Sequence, residues 1–321
     1  MESLGELLQA LRRSPYMKRA EEMKRELLAD PLVAELRERH PEIDDALLVS
    51  HMNQVSQYVK ESHRCKNCPG LDRCPNDLAG HYTKLEVHNI ADKTYLVDTK
   101  VPCKLWTAKQ AQERIRRRIR SFYVDEQVLS GRYSLEEILR VDRERVKAVE
   151  KVAEYIAHVQ ERGLPNKGLY LYGKFGTGKT FLMGYMLYEL ARYGYTGVII
   201  YMPDFMEDLK SMFAEPQQLK DTIEMLKETD LLVFDDIGSE NLNPWARDHV
   251  LGTILNYRMN RKPTFFTSNY DLDALEQHFS FTNRVGEELH KGQRIMDRIR
   301  PFVEAVPVNG RNKRGMTSES V

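Results

Sequence analysis

The sequence predicts an α/β protein: a doubly wound domain on a parallel sheet, preceded by a small, mostly helical, zinc-binding module. Three observations carry that expectation. An apolar run empties into a glycine-rich turn within residues 168–180, a second apolar run ends in the paired acids Asp235-Asp236, and all four cysteines fall between Cys65 and Cys103.

The first element is Gly168-Leu-Tyr-Leu-Tyr followed by Gly173-Lys174-Phe175-Gly176-Thr177-Gly178-Lys179-Thr180 and then Phe-Leu-Met-Gly-Tyr-Met-Leu. Strand, glycine loop and helix thus arrive in the order of a P-loop. The glycines let backbone N–H groups turn inward around phosphate oxygens, and the start of the next helix adds partial positive charge. Lys179 is placed to reach the β- and γ-phosphates of a nucleotide, and Thr180 to offer its hydroxyl to Mg²⁺.

A metal held from one side by Thr180 needs a carboxylate on the other. Leu231-Leu-Val-Phe234 reads as a strand buried on both faces, ending in Asp235 and Asp236. Asp235 would hold Mg²⁺, directly or through water, and Asp236 would polarise the attacking water. Between loop and acids, Thr196–Tyr201 reads as a strand and Pro203–Ala214 as a helix with proline in its first turn. Asn243–Met259 then has helical periodicity, and Pro263–Asn269 is a further buried strand. In a parallel sheet, ligands gather at the carboxyl ends of strands, which would set Asn269 beside Asp235 and Asp236. The alternation runs from Gly168 to Val308 and argues a nucleotide-binding domain.

The 321 residues suffice for one such domain plus a smaller one. No apolar run approaches the roughly 20 residues of a membrane span. The start Met1-Glu-Ser-Leu-Gly-Glu lacks a basic segment followed by an apolar core, so the expected compartment is the cytoplasm. The 48 basic and 48 acidic residues cancel, which removes overall charge as a pointer to nucleic acid. Residues 114–120, Arg-Ile-Arg-Arg-Arg-Ile-Arg, form a local basic block, read either as a solvated helix face or as a contact for phosphate or a partner.

The cysteines stand in Cys65-Lys-Asn-Cys68-Pro-Gly-Leu-Asp-Arg-Cys74, with His81 and Cys103 beyond. A reducing compartment disfavours disulfides, and a C-x-x-C turn sets two thiolates on one tetrahedral ion, so Zn²⁺ is the first reading. A redox pair is the rival, but it usually precedes a helix, whereas Pro69-Gly70 dictates a turn. Cys65 and Cys68 are the firm ligands. Cys74 and Cys103 complete a thiolate set, and His81 is the alternative to either; His63 is a polar neighbour. Before them, Leu7–Leu11, Met17–Leu28, Pro31–Arg39 and Ile43–Lys60 read as helices too short and polar for a large core, which a structural ion would help to fold. The expected organisation is a zinc module over 1–105, a bridge over 106–133 and the nucleotide domain over 134–321. Ser134-Leu-Glu-Glu resembles a capping-box helix start, and the tail beyond Arg311 reads as frayed.

Taken together, the cysteine-bearing helical module, the P-loop, Asp235-Asp236-Ile-Gly, Thr267-Ser-Asn269 and Gly292-Gln-Arg294-Ile-Met-Asp-Arg298-Ile resemble the DnaI family of Gram-positive replicative helicase loaders, across nearly the whole chain. The second half is also similar to DnaC loaders and to IstB transposition helpers; the zinc module makes the match specific to DnaI. The resemblance implies an AAA+ ATPase using ATP, Mg²⁺ and Zn²⁺. It would dock on the hexameric helicase through residues 1–105, help place it around single-stranded DNA, work with other primosome proteins, self-assemble and bind no membrane. It also implies that Arg298 is the arginine finger reaching a neighbouring subunit's nucleotide, with Arg294 the alternative, and that Arg311 is the second sensor arginine; guanidinium groups neutralise charge on a transferring phosphoryl. Many AAA+ proteins carry Asp-Glu where this chain has Asp235-Asp236, so weak intrinsic turnover that rises in assembly is expected. The competing functions are a transposition-helper ATPase and a zinc-stabilised nucleic-acid adaptor whose P-loop only senses nucleotide.

Overall fold

Short runs of β-branched, aromatic and leucine residues, with almost no exposed positions, build the second half. The computed structural model describes residues 15–90, 93–124, 129, 137–138, 143–282 and 286–312. The expected helix at Leu7–Leu11, the capping box at Ser134 and the tail beyond residue 312 lie outside the described residues. By its contacts the chain forms two units, Met1–Gln112 and Glu113–Val321. Among the described residues no helix is long and apolar enough to cross a membrane.

In the second unit, β3 (Ile119–Phe122), β4 (Gly168–Tyr172), β5 (Gly197–Tyr201), β6 (Leu231–Asp235), β7 (Thr264–Ser268) and β10 (Val303–Pro307) form one parallel sheet in the order β10-β4-β7-β6-β5-β3. Strand side chains alternate between faces. Leu169, Leu171, Ile199, Leu231, Val233 and Phe265 face one core, shared with α6 (Val146–Arg162) and α7 (Lys179–Arg192). Tyr170, Val198, Ile200, Leu232, Phe234 and Phe266 face the other. That second face is covered by α8 (Met202–Ser211), α9 (Pro216–Glu228), a π-helical segment (Ala246–Leu251) running into α10 (Gly252–Arg258), α11 (Leu272–Phe279) and α12 (Leu289–Met296). Helices on both faces make the sheet doubly wound. A small pair, β8 (Phe281–Thr282) and β9 (Gly286–Glu287), lies between α11 and α12.

One buried cation binds the lower end of this sheet. Arg258 on α10 is 1% exposed. Its guanidinium donates to the carbonyls of Leu226, Lys227, Thr229, Asp230 and Pro263 and to Thr264 Oγ1, at 2.5–3.2 Å. It thereby satisfies the end of α9 and ties the entry of β6 to the entry of β7. Burial pulls its pKa down to about 10, still leaving it charged at neutral pH.

The first unit adds a hairpin to the expected helices. Helices α1 (Pro15–Leu28), α2 (Pro31–Arg39), α3 (Asp45–Ser50) and α4 (Met52–Lys66) are joined by a long antiparallel hairpin, β1 (His81–Ile90) with β2 (Lys93–Pro102). The reason is period-two patterning: Thr83, Leu85 and Val87 face inward with Leu96, against Val55 and Val59 of α4. Buried Glu61 of α4 accepts the Thr83 N–H (2.6 Å), the Thr83 hydroxyl (2.8 Å) and the Lys100 ammonium, riveting helix to hairpin.

The described start of the expected bridge over 106–133 is also structured. α5 (Lys104–Arg116) occupies its start, and β3 joins the sheet as an edge strand, with Gly197 N–H donating to Arg118 O at 2.9 Å. The basic block therefore does not lie on one helix face. Arg114 and Arg116 end α5, whereas Ile119 packs into the sheet core and Arg118 bonds Ala191 O at 2.9 Å.

Candidate nucleotide-binding site

The site forms where β4, β6 and β7 end, because a parallel sheet aims all its carboxyl ends at one edge. After β4, the loop Gly173–Thr180 turns through left-handed backbone at Gly176 (φ +72°) and at Gly178 (φ +92°), which caps α7. A side chain at Gly176 would also collide with Asn312, in the segment that leaves β10. Phe175 stands exposed on the loop, while Thr177 is buried and its hydroxyl donates to Lys174 O at 3.0 Å. Lys179 Nζ donates to Gly173 O, Lys174 O and Asn269 Oδ1, each at 2.9 Å. The ammonium thus waits inside the loop whose phosphates it would meet.

Thr180 and Asp235 are adjacent, as a shared Mg²⁺ requires: Thr180 Oγ1 donates to both carboxylate oxygens at 2.9 and 3.0 Å. Thr267 of β7, which sequence reading passed over as a strand residue, completes this support. Its hydroxyl donates to Asp235 Oδ1 at 2.6 Å and accepts the Asp236 N–H at 2.9 Å. The available signal was a polar residue in the middle of an apolar strand, two places before Asn269. Burial pushes the Asp235 carboxyl up to about 6, against the Thr267 and Thr180 hydrogen bonds that pull it down; the Asp236 charge adds to the rise and Lys179 opposes it. A divalent cation would relieve that cost, so the residues present fit Mg²⁺.

Asp236 follows the last residue of β6 with φ +56°, a left-handed conformation that a non-glycine residue adopts at a cost. The turn lifts its carboxylate out of the strand, where Asn269 Nδ2 donates to Asp236 Oδ1 at 2.7 Å. Sequence reading also missed Glu240, buried behind this turn, which accepts the Gly238 N–H at 2.7 Å and faces His278 Nε2 at 3.3 Å.

The structure therefore brings together Gly173–Thr180, Asp235, Asp236 and Asn269. The arginines have other settings. Arg298, just past α12, bonds Asn256 Oδ1 at 3.3 Å and the Arg294 carbonyl, and Arg294 is exposed. Arg311 is exposed in the segment after β10, where its neighbour Asn312 touches the loop.

The cysteines converge on the base of the hairpin. Asn76 Nδ2 donates to Cys65 Sγ (3.3 Å) and to His81 O (2.8 Å), Gly80 N–H to Cys74 Sγ (3.4 Å), and Trp106 N–H to Cys103 Sγ (3.4 Å). Cys103 N–H in turn donates to Gly80 O at 2.8 Å, and the His81 ring packs 5.4 Å from Trp106. Cys68 is exposed. Among the described residues no three His, Cys, Asp or Glu side chains come close enough to hold a metal, so the expected Zn²⁺ set is not closed by this arrangement.

Comparison with known proteins fits both units. The family model described as primosomal protein DnaI N-terminus matches residues 1–95, and that of the IstB-like ATP binding protein matches residues 112–320. The replicative helicase loader DnaI of Bacillus subtilis is 34% identical over 317 residues, 98% of this chain and 99% of its own. The chain belongs to the DnaI family. A crystal structure of DnaI superposes with a TM-score of 0.50 at 34% identity, over 63% of this chain and all of that one. A putative primosome component from Streptococcus pyogenes is 29% identical with a TM-score of 0.49, over 63% of this chain and 99% of its own. Family membership makes the second unit an AAA+ ATP-binding domain and leaves the transposition-helper reading without support from the DnaI-type first unit.

Proposed function

We propose that this chain is an ATP-dependent loader that binds the hexameric replicative DNA helicase and helps place it on single-stranded DNA, in the cytoplasm and in concert with other primosome proteins. The observation that carries the reading is the union, in one chain, of a DnaI-type first unit with a complete P-loop, acid and asparagine set. Residues 1–105 are the helicase-binding part of this reading. Its direct test is co-purification of the full chain with the replicative helicase, followed by helicase transfer to single-stranded DNA with and without ATP. A chain that neither retains helicase nor speeds its transfer would refute the loader assignment.

In this reading Gly173–Gly178 wrap the phosphates with backbone N–H groups, Lys179 leaves its three acceptors to meet them, and Thr180 and Asp235 hold Mg²⁺. A bound Mg²⁺ would supply neutralisation of the phosphate charge. Asp236 accepts hydrogen-bonding from the attacking water, and Asn269 fixes the rotamer of Asp236. Arg298 is the residue offered in trans, with Arg294 as alternative, a role that requires loaders to self-assemble, and Arg311 is the second sensor arginine. Zn²⁺ belongs to the reading as a structural ion of the first unit. Four thiols and three N–H···S contacts support it, and closing the set needs the four sulfurs to draw closer together than they stand here.

A further inference from the structure

Helix α12, which carries Arg294 and leads into Arg298, is anchored by a half-buried charge cluster that the nucleotide chemistry does not use. Its centre is Arg247, fully buried in the π-helical segment. Here the Gly252 N–H reaches back five residues to Arg247 O, so the turn is wider than an α-turn. Such π-turns cluster at functional sites. Arg247 forks onto its own neighbour, with Nε to Asp248 Oδ1 at 2.9 Å and Nη2 to Asp248 Oδ2 at 3.3 Å. The same guanidinium reaches Phe279 O, the last residue of α11, at 3.1 Å and Glu288, the residue capping α12, at 2.9 Å. Lys291, in the first turn of α12, closes the cluster on Asp248 Oδ2 at 2.8 Å.

The rest of α12 is held as tightly. At Gly292 a side chain would overlap Ser280 Oγ and Glu276 O, so α12 lies directly on the end of α11. At its far end Arg298 Nε meets Asn256 of α10 at 3.3 Å. The π-segment and α10 therefore grip α12 at both ends, through Arg247–Asp248 at one and Asn256 at the other. Desolvation alone would pull the Arg247 pKa down, and the Asp248 and Glu288 carboxylates overcome it and hold the pKa above its usual value. A buried ion cluster adds little net stability over an apolar core of the same shape, but it fixes geometry.

We propose that Arg247, with Asp248, Glu288 and Lys291, is a positioning device that aims α12 so that its arginine reaches the nucleotide of a neighbouring copy of this chain. The proposal rests on the reading of Arg298 as an arginine acting in trans. It requires that loss of Arg247 disable a chain as donor of the arginine while its own nucleotide site, on β4, β6 and β7, stays intact.

The test is a mixing experiment with full-length chains. The acceptor carries Arg298→Ala, and the donor carries Asp236→Asn, which silences its own turnover. Turnover restored in that mixture establishes the trans-acting arginine. A donor carrying Asp236→Asn with Arg247→Met should then restore about tenfold less, and one with Lys291→Met a few-fold less. Arg247→Met alone should bind ATP with unchanged affinity by calorimetry. Equal restoration by all donors overturns the positioning role and leaves the arginine reading standing. No restoration by the plain Asp236→Asn donor overturns both. Should Arg247→Met fail to bind ATP or to fold, the partly exposed Lys291→Met donor decides, and full restoration by it refutes the proposal.

Discussion

The two units place their polar groups by different means. In the second, Thr180, Asp235, Thr267 and Asn269 inherit their positions from strand ends and a helix start, and their mutual hydrogen bonds run at 2.6–3.0 Å. In the first, the cysteines sit at a helix end, on turns and beside a hairpin base, and the sulfurs of Cys65, Cys74 and Cys103 accept N–H contacts at 3.3–3.4 Å. A sheet buried on both faces leaves its edge residues one geometry. A loop cluster on a small core needs something further to fix it.

The sharpest way to break this contrast is to undo the sheet's entry without touching its exit. Arg258→Met strands several buried carbonyls, and should cost the second unit about 3–5 kcal/mol in chemical denaturation; a loss below about 1 kcal/mol would show that the carbonyls find other donors. At the exit, Lys179→Ala should weaken ATP binding by about a hundredfold or more in calorimetry without lowering the ligand-free melting temperature comparably. Retained affinity would contradict the site. Glu61→Gln tests a comparable device in the first unit and should destabilise it by about 1–3 kcal/mol, read as earlier proteolysis of the hairpin. Burial pushes Glu61 up, but its bonds to Lys100 and Thr83 hold it below the usual carboxylate range. Its contribution is therefore present above the ordinary glutamate pKa and is lost as pH falls through the depressed value.

Asp235 has the opposite sign. Its raised pKa favours the folded, ligand-free chain below the unfolded value of 3.8, and that advantage is lost as pH rises through about 6. Asp235→Asn should raise ligand-free stability near neutral pH by ~1–3 kcal/mol while impairing Mg²⁺-dependent nucleotide binding, which in the parent chain should itself weaken below about pH 6. A variant that melts lower than the parent would show that the charge is compensated. The smallest expected signal is in the cysteine cluster: elemental analysis should find one zinc per chain, lost with Cys65→Ser. Metal-free protein with an unchanged circular dichroism spectrum would leave the thiols as hydrogen-bond acceptors alone.

Much of the second unit was legible because each feature there rewards a pattern. Glycines at Gly176 and Gly178 announce left-handed turns, and the unbroken apolar run Leu231–Phe234 announces a strand with two buried faces. Thr267 was quoted in a motif but given no role, because a polar residue in a strand does not say which carboxylate it supports until Asp235 is in place. The hairpin was legible in principle, since Thr83, Leu85 and Val87 alternate, but its polar outer positions lowered the contrast. β3 hid within the arginine block, where charge masked the apolar Ile119 and Phe122 that seat it on β5. Distances between cysteine sulfurs have no periodicity to read.

The bonds made by Lys179 have a kinetic meaning. Its ammonium is anchored on Gly173, Lys174 and Asn269, and Asn269 in turn clasps Asp236. An arriving phosphate must compete for that ammonium, so nucleotide entry is an exchange of partners rather than the filling of a vacancy. On the proposed roles, that exchange would also free the Asn269 carbonyl oxygen, one contact away from Asp236, the acid proposed to polarise water. Occupancy would then reach Asp236 through a single amide, and a ligand too short to draw Lys179 away would sit in the loop and leave that amide at rest.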